Sequence, residues 1–231
     1  MQKTVKRIFD IIFALMALVL LLPLWVVLAI WIGATSPGGI FFRQRRTGLH
    51  GREFNLLKFR SMRINDIADE AQAGTNDPRV TAVGRLLRKS SLDELPQLIN
   101  VLRGDMSIIG PRPHMLKHTE YYSRLIPDYM RRHEMRPGLT GYAQIKGFRG
   151  PTPRLEDMEN RVRADLEYID RFSLWLDLKI FFLTIWKMLT LKLCPAAMPH
   201  EWGMRRVCNC EFPGSVDNFF AAGGDFYCLG L

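Results

Sequence analysis

Ile11 to Ile32 is a run of 22 consecutive residues without a charge, and it limits the possible folds more than any other part of the chain. No comparable run follows, so the sequence describes neither a plain water-soluble protein nor a polytopic transporter. It predicts one membrane-embedded element carrying a globular body. As a straight helix the run would be ~33 Å long, about the thickness of a bilayer core. Lys3, Lys6 and Arg7 precede it, as in a signal peptide, but it is longer than a signal-peptide core and no usual cleavage site follows, so retention is expected. Two features oppose a simple crossing. Pro23 sits near the centre, after Leu22, where it removes a helix hydrogen bond. The flanks are also basic on both sides: Lys3, Lys6 and Arg7 before, and Arg43, Arg45, Arg46 and Arg52 after. A crossing helix usually favours one side. A helix–break–helix that enters one leaflet and returns explains both features; a single-pass anchor stays open beside it. Asp10 is expected at the interface, and Ser36-Pro37-Gly38-Gly39 ends the segment as a turn.

The net charge is +9, yet residues 193–231 are acidic, with Arg205 and Arg206 against Glu201, Glu211, Asp217 and Asp225. The basic part suits an anionic partner: a membrane surface, a nucleotide, a pyrophosphate or a nucleic acid. All four cysteines (Cys194, Cys208, Cys210, Cys228) lie in the acidic tail. The body therefore has no disulfide framework, a reducing cytoplasmic setting fits, and the tail lacks a usual zinc spacing.

Ile40-Phe41-Phe42 and Phe54 to Arg60 read as two strands of a hairpin around the basic loop His50-Gly51-Arg52. Residues 61–80 read as loop or mobile helix. Val83 to Leu87 begins a helix, Ser90-Ser91 interrupts it, and Leu92 to Leu102 resumes helical spacing up to Gly104. Gly110-Pro111-Arg112-Pro113 and Arg136-Pro137-Gly138-Leu139-Thr140-Gly141 read as rigid turns bearing arginine. Residues 115–134 and 155–172 look helical, and Trp175 to Lys192 is an amphipathic helix suited to a membrane surface or to packing on the body.

Asp93-Glu94 is the pair with the most chemical interest. Ser91-x-x-Glu94 matches a capping box, and acids in a first turn favour the helix dipole, so a structural role accounts for the spacing. The surroundings favour chemistry. Arg85, Arg88 and Lys89 lie upstream, Lys58 and Arg60 end a strand, and Arg112 and Arg136 sit on rigid turns. Arginine binds phosphate oxygens bidentately, so this array suits a diphosphate. A carboxylate beside bound phosphate normally needs Mg²⁺. For each arginine singly, a solvated surface role competes. His114, His118 and His133 have no metal or triad spacing.

Taken in order, these motifs resemble the bacterial sugar transferases, the small monotopic phosphoglycosyl transferases. The matching stretches begin with Lys6 to Asp10, Ser36-Pro37-Gly38, Phe41 to Arg45, Lys58 to Met62, Asn76 to Thr81 and Gly84-Arg85. They continue with Ser91 to Gln97, Gly104 to Ser107, Gly110 to Pro113, Pro137 to Gly141, Asp165 to Tyr168 and Ser173 to Asp177. The resemblance implies an α+β protein: a re-entrant membrane helix over 1–36, and a cytoplasmic transferase domain over 37–192 made of a β-hairpin and helices, with interfacial amphipathic helices. It implies transfer of a sugar-1-phosphate from a UDP-sugar to polyprenyl (undecaprenyl) phosphate, with release of UMP, at the bacterial inner membrane. Asp93 aligns with the family nucleophile, which forms a covalent phosphosugar, and also with a metal ligand. Glu94 is the second acid, and Mg²⁺ is the cofactor. Lys58, Arg60, Arg88, Arg112 and Arg136 are the expected phosphate contacts. No nucleic-acid partner is expected; a homodimer is compatible.

Two departures stand out. The family break is often Ser-Pro where this chain has Leu22-Pro23, and members commonly end soon after the helix that precedes residues 193–231. The resemblance gives that atypical tail no role. A competing function is a membrane-anchored module that binds anionic lipid or nucleic acid, but such a module gains nothing from Asp93-Glu94 among arginines. The sugar is not legible.

Overall fold

The hairpin forms around the predicted basic loop, but its first strand runs on to Thr47, well past the expected Ile40-Phe41-Phe42. The computed structural model describes residues 1–35, 37–63, 77–150 and 152–193. In it β1 (Phe41–Thr47) and β2 (Glu53–Phe59) pair antiparallel, from Phe41 opposite Phe59 to Thr47 opposite Glu53. Residues His50 (φ 53°) and Gly51 (φ 76°) turn the chain through the left-handed region. Leu56 enters the main core, and Phe59 joins a second cluster with Leu28, Ile32, Val83 and Leu87. The free edge of β2 is satisfied by one side chain: Leu57 N–H donates to Asn100 Oδ1 (2.9 Å), and Asn100 Nδ2 donates to the Asn55 carbonyl (2.8 Å). Full burial of Asn100 removes competing water.

Helix α2 (Ala82–Ser90) starts at Thr81, whose Oγ1 accepts from Gly84 N–H at 2.9 Å. A Cβ on Gly84 would lie 1.8 Å from the Ser61 carbonyl oxygen, so no larger residue fits without moving the helix. Gly84→Ala is expected to cost about 1–3 kcal/mol, the usual range for overpacking, read as a lower thermal midpoint.

Beyond α2 the structure corrects the sequence. Leu92 to Leu102 is not one helix, and Ser91 is not a capping-box residue. Ser91 is left-handed (φ 59°) and its side chain caps nothing there. A single 3₁₀ turn, Leu92–Glu94, follows, and α3 (Gln97–Arg103) begins only after Pro96. Proline has no N–H, so it begins a helix rather than continuing one. Three carbonyls at the end of α3 are capped from afar: Arg7 donates to Val101 (2.6 Å) and Leu102 (3.0 Å), and Arg136 Nε donates to Gly104 (2.9 Å).

The two Pro/Gly turns are joined by short strands that the sequence did not announce. β3 (Ser107–Ile109) and β4 (Gly138–Thr140) pair in parallel. A Cβ on Gly138 would fall 2.1 Å from Gly110 N, so backbone packs directly on backbone. The segment 115–134 is α4 (Leu116–Leu125) and a 3₁₀ turn (Tyr129–Glu134), parted near Pro127. Helices α5 (Tyr142–Ile145), α6 (Leu155–Asp170) and α7 (Leu174–Leu193) complete a mixed helix-and-strand architecture.

The helix–break–helix expected over 1–36 is not what forms: α1 (Gln2–Thr35) continues as one helix through Pro23, and it is, among the described residues, the helix long and apolar enough to cross a membrane. Both of its ends are fastened to the same body. Near the start, Lys6 Nζ donates to Asp177 Oδ2 of α7 (2.6 Å), and Asp10 Oδ1 accepts from Ile108 N (3.0 Å) and Ser107 Oγ (3.1 Å). Near the end, Leu28 and Ile32 pack on Phe59, Val83 and Leu87. Asp10 is thus buried against protein. Much of the rest of α1 is bare: Phe9, Leu15, Val19, Leu20, Val27 and Ile30 are all exposed, as are Trp175, Phe182 and Trp186 of α7. An apolar surface of this extent is compatible with association with a membrane. The residues Met1–Lys187 form one compact unit, and α7 continues past it to Leu193. Ser36, residues 64–76 of the expected loop, and the tail with its four cysteines lie outside the described residues.

Candidate active site

Three pieces of local chemistry bring the predicted residues together. Strand β2 carries Lys58 and leads into Arg60, the last turn of α2 carries Arg88, and the 3₁₀ turn holds Asp93 and Glu94. The turn after β3 supplies Arg112. Lys58, Arg60, Arg88, Asp93 and Arg112 line one cleft of about 500 Å³. The cleft is also lined by Arg43, Arg46, Arg63, Arg79 and Arg161, and Asp93 is the only acid among its described lining residues. A wall of this kind selects for an anion.

The two neighbouring acids meet different fates. Glu94 is clamped: Lys58 Nζ and Arg112 Nη2 each donate to its Oε1 at 2.9 Å. Burial alone would raise its pKa, but Arg112 and Lys58 outweigh that and hold it well below the usual carboxylate range. The clamp fixes both cations, and Glu94 raises the pKa of Arg112 in return. Asp93 is 6 % exposed and lies 3.9 Å from Lys58 Nζ, beyond hydrogen-bond reach. Burial pushes its pKa up, while Lys58, Arg88 and Arg112 oppose the rise. One acid is therefore held by two cations, and the other makes no side-chain hydrogen bond among the described residues.

Arg60 is buried and donates from Nη1 to the Pro37 carbonyl (2.9 Å), tying the cleft to the turn after α1. Arg136 does not line the cleft; it caps α3, as described above. Arg43 and Arg46, which the charge-flank argument counted as membrane signals, are cleft residues.

Sequence reasoning missed the scaffold behind Arg112. Arg132 and Asp165 are almost wholly buried and paired, with Nη2 to Oδ2 at 2.6 Å. The same Nη2 donates to the Arg112 carbonyl at 2.8 Å. Arg161, also buried, donates from Nε to the Phe148 carbonyl at 3.0 Å. Burial, Arg112 and Arg132 lower its pKa to about 10. A signal existed: Arg161 and Asp165 share a helical face with Met158, Val162 and Tyr168, so charge falls on an apolar stripe.

Among the described residues no group of three or more His, Cys, Asp or Glu could enclose a metal. Mg²⁺ is commonly held by one or two carboxylates together with substrate phosphates. Asp93, the one carboxylate among the described lining residues of a basic cleft, fits that mode and not an all-protein cage.

The chain matches the family model described as bacterial sugar transferase over residues 1–191. It is 53 % identical to the UDP-glucose:undecaprenyl-phosphate glucose-1-phosphate transferase of Xanthomonas campestris pv. campestris, over 80 % of this chain and 38 % of that protein. It is 52 % identical to the protein of the same name from Escherichia coli (strain K12), over 80 % of this chain and 40 % of that one. The chain thus spans about two fifths of the length of these relatives. It is 44 % identical to the exopolysaccharide production protein PSS of Rhizobium leguminosarum bv. phaseoli, over 82 % of this chain and 98 % of that protein.

Proposed function

The chain belongs to the bacterial sugar transferase family, and from that membership we propose that it moves a sugar-1-phosphate from a UDP-sugar to undecaprenyl phosphate and releases UMP. The observation that carries this is Asp93, a buried carboxylate in the wall of a cleft whose other charged side chains, among the described lining residues, are all lysine or arginine. A site for binding polyanions alone would gain nothing from it. The names of the Xanthomonas and Escherichia relatives, 53 % and 52 % identical to this chain, make glucose the donor sugar to expect.

In the chemistry we infer, an Asp93 carboxylate oxygen attacks the β-phosphorus of the donor. The bond between that phosphorus and the bridging oxygen breaks, and UMP leaves. A phosphate oxygen of undecaprenyl phosphate then attacks the same phosphorus, which releases Asp93 and gives the lipid diphosphosugar. Lys58 and Arg112, fixed by Glu94, stay with Arg88 to meet charge on the phosphoryl oxygens, so little reorganisation is needed at the moment of transfer. Mg²⁺, held by Asp93 and donor phosphate oxygens, would offset the charge of the diphosphate. We assign the product to the start of a polyprenyl-linked polysaccharide.

The lipid phosphate sits at the membrane interface, which requires the cleft to be held there. A re-entrant α1, with the body on the cytoplasmic face of the inner membrane, meets that need. Its support is that both ends of α1 pack on one body, whereas a crossing helix would part them. A cysteine placed at position 2 tests the topology: no labelling from outside the cell is expected, and external labelling would establish a crossing helix.

The activity itself is tested by UMP release from detergent-solubilised protein with Mg²⁺, undecaprenyl phosphate and a panel of UDP-sugars. Release with UDP-glucose is expected. Absence of UMP with every sugar would overturn the reading.

A further inference from the structure

His114 has no part in the chemistry above, although it lines the same cleft. It follows the Gly110–Pro113 turn, and its backbone carbonyl accepts from Thr47 N at the end of β1 (3.1 Å). Its ring is 4 % exposed as part of the residue, and one edge is fully engaged. Nδ1 lies 2.6 Å from Tyr129 Oη and within hydrogen-bond distance of Arg132 Nη1. A guanidinium only donates, and Asp165 fixes this one in place. Nδ1 must therefore accept, and the imidazole is neutral with its proton on Nε2. Burial, with Arg132, Arg161 and Arg46 nearby, pushes the ring's pKa well below its ordinary value, in agreement with this tautomer.

The Nε2 atom is buried and finds no hydrogen-bond partner among the described residues. A buried donor without an acceptor costs free energy, and native structures rarely leave one so. With the Nδ1 edge committed to Arg132 and Tyr129, the Nε2 edge is the one left for the cleft. Arg46, Arg112, Arg161 and His118 line this part of the wall, and the lining offers it no acid besides Asp93. An acceptor entering there meets cations on several sides, so its natural form is an anionic oxygen.

We propose that His114, with Arg46 and Arg161, forms a phosphate subsite in which Nε2–H donates to an oxygen of a bound phosphoryl ester. The Arg132–Asp165 pair acts at one remove, by holding the tautomer. The inference rests on the transferase reading only for the source of that ester, the nucleotide or the polyprenyl phosphate.

Two substitutions separate the ring's edges. His114→Asn keeps an acceptor near the Nδ1 position and loses the Nε2 donor. His114→Gln keeps a donor near Nε2 and loses the acceptor facing Arg132. Calorimetric titration of the 231-residue chain with UMP needs no turnover. H114N is expected to bind UMP about 10-fold or more weakly while keeping its thermal midpoint, and H114Q to bind more tightly than H114N despite a lower midpoint. If H114N leaves UMP affinity intact but raises KM for undecaprenyl phosphate about 10-fold, the ester is the lipid's. Unchanged UMP affinity and unchanged KM would overturn the proposal, as would weakening confined to H114Q. If H114N does not fold, ¹⁵N-histidine NMR of the unsubstituted protein decides: UMP or undecaprenyl phosphate must shift the Nε2–H resonance, and no shift with either overturns the proposal. A protein that binds UMP through His114 yet turns over no UDP-sugar would count against the transferase reading alone.

Discussion

Asp93→Asn is expected to remove turnover, by at least about 10³-fold in kcat, because the amide cannot supply the attacking oxygen. The same change should not harm the fold. Burial raises the pKa of Asp93 in the folded protein. The sign then follows from linkage: a group with a raised folded pKa favours the folded state at low pH and loses that favour as pH rises through the folded value. At neutral pH and without divalent cation, the ionised, buried carboxylate opposes folding, so Asp93→Asn leaves the thermal midpoint unchanged or higher. A catalytic loss with an intact or raised midpoint, measured in EDTA, separates this account from simple unfolding. Glu94→Gln should behave differently. It weakens two charge-assisted bonds to Lys58 and Arg112, so a loss of roughly 10–100-fold in kcat/KM is expected along with some stability.

The largest effect on stability is expected at Asp165. Removing its carboxylate in Asp165→Ala leaves Arg132 charged, almost inaccessible to water and without its ion-pair partner. Breaking one side of a buried pair typically costs about 3–5 kcal/mol. For a chain of this size that corresponds to a fall of roughly 6–20 °C in thermal midpoint. Replacing both partners by apolar residues, Arg132→Met with Asp165→Leu, should recover much of the midpoint, because no stranded charge remains. Activity should stay low in the double variant. The Arg112 carbonyl loses the donor that holds its turn, and Arg112 can then no longer meet Glu94 in the same place. Recovery of activity together with stability would reduce Arg132–Asp165 to a role in folding only.

These residues also mark how far the sequence could be read. The hairpin was legible because its signal is local: two apolar-rich segments flank the basic loop His50-Gly51-Arg52. The gathering of Lys58, Arg60, Arg88 and Arg112 around Asp93 was legible through a set of ordered motifs, none of which fixes a distance. The fate of Glu94 was not. Its spacing from Ser91 suits a capping box, and only the folded chain brings Lys58, 36 residues upstream, and Arg112, 18 residues downstream, against it. Tertiary partners override a local preference in such a case. Arg136 illustrates the converse: a rigid turn announces that an arginine is held, but not whether it faces the cleft or the end of α3. Strands β3 and β4, three residues each, are too short for any period to register. Arg132 stands in the charged run Arg131-Arg132-His133-Glu134, where nothing local marks it for burial, while its partner Asp165 carried the better clue on the apolar face of α6.

Covalent capture of the sugar phosphate tests the central claim most directly. The 231-residue chain, solubilised with Mg²⁺, is mixed with UDP-glucose in the absence of undecaprenyl phosphate and analysed by mass spectrometry, intact and after digestion. The account predicts a hexose-phosphate adduct on the peptide containing Asp93, UMP released in step with it, and loss of the adduct when undecaprenyl phosphate is added. UMP release that requires both substrates together, with no adduct at any time, would contradict it and assign the transfer to a single direct displacement.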